Sequence, residues 1–294
     1  MVNTVFEKKK LVKYLIWTFA VSWGMQIAAC LFADNLLLYQ ALLLLAMFTP
    51  MLGAWLSGAA FKGMGWKPHF KGKVKWILLA WLIPLVSALA GAALYFLIFP
   101  NALTVSSDYL SMQSGQDIAK LLQQQGVDYQ TYIVSQVIAA ATYAPIMNML
   151  AALGEETGWR GFMYPQLKSA LGRKKGLVLG GILWGAWHFP IIIFAGYEYG
   201  KNYVGFPVVG MLVFCFITVM MGIVFDWLYE KAESIWIPSL VHGAVNACSG
   251  LALLVLNVRY ADQLILGPVS NGLISGLPIT VIAVTILIKS KERT

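Results

Sequence analysis

Residues 204–229 read VGFPVVGMLVFCFITVMMGIVFDWLY. The run is overwhelmingly apolar, shows no strict alternation, and as a helix rising ~1.5 Å per residue is long enough to cross a hydrocarbon core of about 30 Å. Runs of the same kind recur along the chain. In lipid every backbone N–H and C=O needs an internal partner, so spans are helices or strands of a closed barrel. Long apolar runs without a period of two argue against the barrel. The sequence therefore predicts an all-α polytopic membrane protein, with one transmembrane domain over residues 1–294. Eight spans are expected near 12–33, 36–60, 76–99, 131–153, 176–196, 204–229, 236–257 and 268–288. The composition agrees: 59% of the 294 residues are hydrophobic and 12% charged, with a mean hydropathy of +0.72. That is too little charge to solvate a soluble surface of this size.

The net charge of +8 comes from short basic segments rather than from one nucleic-acid-binding face. Lys8, Lys9, Lys10 and Lys13 precede the first span. Lys62, Lys67, Lys71, Lys73 and Lys75 follow the second, Arg173, Lys174 and Lys175 follow the fourth, and Lys289, Lys291 and Arg293 follow the last against the single acid Glu292. The segment 100–130 carries six glutamines, three aspartates and only one basic residue, Lys120. The positive-inside rule then places both termini in the cytoplasm. The loop 230–235, with Lys231 against Glu230 and Glu233, adds no bias. Cys30, Cys215 and Cys248 lie in apolar stretches without metal-like spacing and read as small core residues. The lysines before an apolar run ending in Ile27-Ala28-Ala29-Cys30 have the outline of a lipoprotein signal, but the segment is read as a first transmembrane helix. The pairs Ala54/Gly58 and Gly181/Gly185 have the small-xxx-small spacing that lets helices approach closely.

Ionisable groups at membrane depth are costly, so each needs a partner or a role. Of the three histidines, His69 falls in a lysine-rich loop and reads as an interfacial residue. The other two lie in apolar spans. Glu155-Glu156 is followed by Arg160, and Glu156 and Arg160, four apart, share a helical face and can pair. Glu155 points about 100° away and is free to face a cavity. His188, in Trp184-Gly185-Ala186-Trp187-His188-Phe189-Pro190, lies about 18 Å along its helix from Gly176, and Pro190 can kink or end regular helix there. His242 and Asn246 are again four apart on one face, and both can donate hydrogen bonds. Each group alone has an ordinary reading as an interfacial salt bridge, a core histidine or a helix–helix polar contact. Together, two carboxylates, two imidazoles and an amide suffice for water-mediated hydrolysis or for metal binding.

These motifs resemble those of the CAAX-protease and bacteriocin-processing family, also called the Abi or CPBP family of intramembrane peptidases. The family pattern is Glu-Glu-x-x-x-Arg, then aromatic-x-x-x-His, then His-x-x-x-Asn. The chain has Glu155-Glu156-x-x-x-Arg160, Trp184-x-x-x-His188 and His242-x-x-x-Asn246 in that order, within a family-like core of about 131–257. Trp184 stands where the family usually has phenylalanine. The resemblance implies an intramembrane endopeptidase in which Glu155 and His188 activate water, His242 and Asn246 stabilise the oxyanion, and Glu156 and Arg160 support the geometry. It further implies a membrane-delivered peptide or protein tail as substrate, no nucleic acid, and a bacterial cytoplasmic membrane as location. There, bacteriocin leaders, quorum-sensing propeptides or immunity roles suit better than prenylated tails.

A metal is left open. No cofactor is needed for a glutamate mechanism, which is favoured slightly. Glu155, Glu156, His188 and His242 have the ligand chemistry for zinc, although no His-Glu-x-x-His motif is present. Two other classes compete: a catalytically silent scaffold, sensor or immunity protein of the same family, and a transporter with buried charges. Retention of every polar motif residue argues against the first. Lack of an inverted repeat argues against the second.

Overall fold

The computed structural model describes residues 5–67 and 71–290. His69 and the terminal Lys291, Glu292 and Arg293 lie outside the described residues. Among those described, the structure is helical, and the only extended pairing is an isolated bridge between Leu103 and Leu256.

The chain opens with α1 (Lys8–Leu31). The expected second span is a bent pair, α2 (Leu36–Ala46) and α3 (Thr49–Leu56), turning by 42°. Asn35 caps α2 by accepting the Leu38 N–H at 3.0 Å, which satisfies one of the open donors of a first turn. After α4 (Val74–Ile98), the glutamine-rich segment folds as α5 (Asp108–Ser114) and α6 (Ile118–Gln124). It docks on residues 251–263. Thr104 N–H donates to the Val255 carbonyl, Asn257 N–H to the Ala102 carbonyl, and the Tyr129 hydroxyl to the Leu254 carbonyl.

The fourth span is also bent, by 53°, between α7 (Tyr129–Ala141) and α8 (Ala144–Gly158). The helix does not end near 153 as the sequence suggested. It runs through a π-helical turn at Trp159–Met163 into α9 (Tyr164–Leu171). Glu155, Glu156 and Arg160, expected at a helix end, are instead inside a continuous helix and buried. Gly172, at φ 78, turns the chain into α10 (Arg173–Trp187), followed by α11 (Phe189–Ala195), α12 (Val208–Ala232), α13 (Trp236–Cys248) and α14 (Leu277–Lys289).

Among the described residues, five segments are long and apolar enough to cross a membrane, and seven if each bent pair counts as one span. The expected eighth, 268–288, is helical only over the 13 residues of α14. At ~1.5 Å per residue that is about 20 Å, short of a full hydrocarbon core. The chain is an integral membrane protein built of helices.

Glycines bring the site-bearing helices together. A Cβ on Gly158 would lie 2.5 Å from the Pro50 carbonyl oxygen, and one on Gly154 would lie 2.8 Å from that of Met47, so α8 presses on the α2–α3 bend. Gly243 sets α13 against α8 in the same way, with Met149 N 2.5 Å from its virtual Cβ. Gly181 and Gly185 seat α10 on α12, as their spacing suggested. Gly58 does not act like this: its α-hydrogens meet open space, and at φ 77 it serves to leave the helix.

Candidate active site

The site starts from α8. Glu155 and Glu156 are adjacent and diverge around the helix, and both are buried. Glu156 Oε1 meets Arg160 Nη1 at 2.9 Å, the pair that the four-residue spacing predicted. The same oxygen meets Nδ1 of His242 at 2.8 Å, across 86 residues of chain. His242 comes from α13, which Gly243 holds against α8. One carboxylate oxygen thus joins two helices.

Arg160 is fully buried, and aromatic faces surround it. Its guanidinium carbon lies 4.5 Å from the Trp184 ring centre, 4.6 Å from Tyr164 and 5.0 Å from Phe225. A desolvated guanidinium gains from such faces. The His242 ring packs on two of the same side chains, 5.3 Å from Trp184 and 5.7 Å from Phe225.

Glu155 has a separate set of partners. Its Oε2 accepts the indole N–H of Trp159 at 3.1 Å and that of Trp184 at 3.0 Å. Among the described residues, no hydrogen bond engages Oε1. The Trp184 backbone carbonyl meets His188 Nδ1 at 3.0 Å. A carbonyl only accepts, so His188 Nδ1 carries the proton and Nε2 is left as the acceptor nitrogen. Trp184 therefore touches both Glu155 and His188. The phenylalanine usual at this motif position would lack the indole donor.

His188 lies at the break between α10 and α11. Pro190 has no N–H, so regular helix fails there and groups on either side need other partners. Gln26 of α1 supplies them, its Nε2 donating to the Trp187 carbonyl at 2.8 Å and its Oε1 accepting the Ile191 N–H at 3.3 Å. The imidazole packs edge-on to Phe214 at 4.8 Å and parallel to but offset from Tyr197 at 5.8 Å, with planes 8° apart.

Of the six expected residues, Glu155, Glu156, Arg160 and His242 are knit together, with His188 attached through Trp184. Asn246 lies one turn beyond His242 on α13 and is exposed, and among the described residues no hydrogen bond engages its side-chain amide. Trp159 escaped the sequence reading, although its position four residues after Glu155 was a usable signal. Gln26, Tyr197 and Phe214 carried no local signal, because distant elements deliver them. A second, partly buried charge cluster was missed as well. Lys168 Nζ lies 2.7 Å from Asp226 and 2.9 Å from Glu230, which Arg173 also pairs.

The residues as arranged do not fit a metal ion. Among the described residues no three His, Cys, Asp or Glu side chains are disposed to hold one. Glu156 Oε1 is taken by Arg160 and His242, Glu155 Oε2 by two indoles, and His188 Nδ1 by a carbonyl.

Comparison with known proteins finds similarity over the segment that carries these residues. The model of the Type II CAAX prenyl endopeptidase Rce1-like family matches residues 136–248, which contain every motif residue above. Residues 136–248 thus resemble the CAAX protease family. A similar curated protein is "CAAX prenyl protease 2" of Methanococcus maripaludis, 28% identical over 180 residues. The match covers 61% of this chain and 63% of that relative, so it spans less than two thirds of the relative's length.

Proposed function

We propose that the chain is an intramembrane endopeptidase that hydrolyses a peptide bond in a membrane-delivered peptide or protein tail. The observation that carries this reading is the Glu156–His242 contact at 2.8 Å, which joins the acids of α8 to the histidine of α13 inside the matched segment.

In the proposed reaction Glu155, held by its two indole donors, and His188, through Nε2, take a proton from a water molecule. The hydroxide oxygen bonds to the scissile carbonyl carbon, and the carbonyl oxygen becomes the oxyanion. His242 and Asn246 donate to it. For His242 this requires a proton on Nε2 as well as Nδ1, and the Glu156 carboxylate against Nδ1 offers the countercharge. Donors aimed at a developing oxyanion contribute on the order of 10²-fold each. Collapse breaks the C–N bond, and the proton first taken from water passes to the leaving amine. Glu156 and Arg160 hold His242 in place. The termini are assigned to the cytoplasmic side, supported by the basic segments at residues 8–13, 62–75 and 173–175.

The test is cleavage of a library of membrane-anchored peptides by detergent-purified protein. Wild type is compared with Glu155→Ala, His188→Ala and His242→Ala, each with and without a strong chelator. The reading requires cleavage by wild type and loss in all three folded variants. Loss of wild-type activity on chelation, restored by zinc, would replace the glutamate mechanism with a metal-dependent one. Equal cleavage by Glu155→Ala would remove the proposed base and require another, while no cleavage by wild type of any peptide in the library would favour the scaffold or transporter class.

A further inference from the structure

Several helix ends meet at one end of the bundle and leave a cavity of about 1420 Å³ between them. Its walls come from the segment before α1, from residues 59–64 after α3, from α9 and the start of α10, and from the last turns of α12 and α14. Where membrane-crossing helices end, hydrocarbon gives way to headgroups. Buried Gln166 of α9 builds one wall. Its Oε1 accepts the Glu7 N–H at 2.7 Å and its Nε2 donates to the Val5 carbonyl at 3.2 Å, which holds the segment before α1 against α9.

Much of the charge on these walls is balanced. Lys10 pairs with Glu7 at 2.8 Å, and Lys168 and Arg173 are matched by Asp226 and Glu230. Three cations are left over. Lys62 after α3, Lys231 at the end of α12 and Lys289 at the end of α14 line the same cavity, and all three are exposed. Among the described residues, none of the three side chains makes a hydrogen bond or ion pair. Like charges gathered on a concave surface focus its field and draw anions to it.

The rest of the lining is apolar in large part, with Met64, Phe162, Trp227 and Ile286 among its residues. Trp227 packs edge-on to Trp76 at 5.5 Å, and indoles at helix ends are common interfacial anchors. On α14, exposed Val281, Val284 and Ile288 continue the apolar surface away from Lys289. A free inorganic anion gains nothing from such walls, and the cavity exceeds the ~300–1,000 Å³ of ordinary small-molecule clefts. A ligand with an anionic head and an apolar body satisfies both surfaces.

We propose that this cavity binds an anionic phospholipid, its phosphate among Lys62, Lys231 and Lys289 and its acyl chains along α14. Such a lipid ties the end of short α14 to α12 and to the segment after α3. The inference needs an integral membrane protein and does not depend on the peptidase reading.

The experiment is native mass spectrometry of full-length, delipidated protein titrated in detergent with dioleoyl phosphatidylglycerol or dioleoyl phosphatidylcholine. Wild type is expected to take up one phosphatidylglycerol at least tenfold more tightly than phosphatidylcholine. The triple variant Lys62→Gln, Lys231→Gln, Lys289→Gln should weaken that first site by about 10- to 100-fold, since each lysine near an anionic lipid contributes measurably. A control with the same loss of charge outside the cavity, Lys9→Gln, Lys13→Gln, Lys67→Gln, should keep it. If the triple variant does not fold, the three single variants are read in the same way, each with a loss of about 2- to 5-fold. Equal affinity for the two lipids, or equal weakening in the cavity and control variants, overturns the proposal. Displacement of the bound lipid by millimolar inorganic phosphate would assign the cavity to a free anion, and displacement by oligoglutamate would assign it to an acidic polypeptide. Either result also overturns it.

Discussion

His242 Nδ1 and Arg160 Nη1 meet the same oxygen of Glu156, at 2.8 Å and 2.9 Å, with Arg160 and Glu156 wholly buried. The arginine neutralises an acid that would otherwise sit uncompensated at membrane depth, and the acid in turn orients an imidazole from another helix. The pair is a support for the histidine more than a source of net stability, since a buried ion pair often does little better than a well-packed apolar one.

That asymmetry makes a prediction. Arg160→Leu leaves the Glu156 charge buried and unpaired, and should destabilise the fold by about 3–5 kcal/mol. Pairing it with Glu156→Leu should recover much of the loss in thermal stability while activity stays absent. Thermal unfolding in detergent measures both variants. A double variant no more stable than Arg160→Leu would show that the charge imbalance is not the cause.

Trp184→Phe restores the residue type usual at this motif position and removes one of two indole donors to Glu155. A hydrogen bond to a charged group contributes about 1.5–3 kcal/mol. We expect a kcat/KM loss of roughly tenfold or more on the cleaved peptide, with the ring packing on Arg160 largely kept. Wild-type activity in Trp184→Phe would mean that Trp159 alone orients the carboxylate.

Gln26 bridges the broken helix beside His188. Gln26→Leu keeps the volume but leaves the Trp187 carbonyl and the Ile191 N–H without partners, at a cost of about 1–3 kcal/mol for each group so stranded. Hydrogen exchange at Ile191 should accelerate, and activity should fall through His188. Unchanged exchange there would show that the break is held by packing alone.

Gly158→Ala puts a methyl group where the Pro50 carbonyl oxygen stands 2.5 Å away. The obstacle is backbone, so α8 must move off the α2–α3 bend. Overpacking of this kind costs about 1–3 kcal/mol, and here the displaced helix carries Glu155 and Glu156. A lower melting temperature with reduced cleavage is expected. A variant as stable and active as wild type would mean that the contact between α8 and Pro50 is loose.

The sequence by itself determined the solvent and the class of fold, because hydropathy acts through composition and run length, which need no partner. It also determined the Glu156–Arg160 pair, because four-residue spacing on a helix is local geometry. Only the tertiary structure decided the rest. The helix through Glu155 and Arg160 continues past 153 because buried neighbours from α1, α10 and α12 replace the water that an amphipathic end would have needed. Residues 264–276 leave the helix, so the last span is short. Glu155 is held by two tryptophans, one predictable from its spacing and one 29 residues away on α10. His188 packs beside Tyr197 from the loop after α11, and Gln26 closes the helix break from α1. Each of these depends on which helices lie against which, and that is set by where glycines let backbones touch and where buried polar groups find partners, neither of which a single chain's periodicity records.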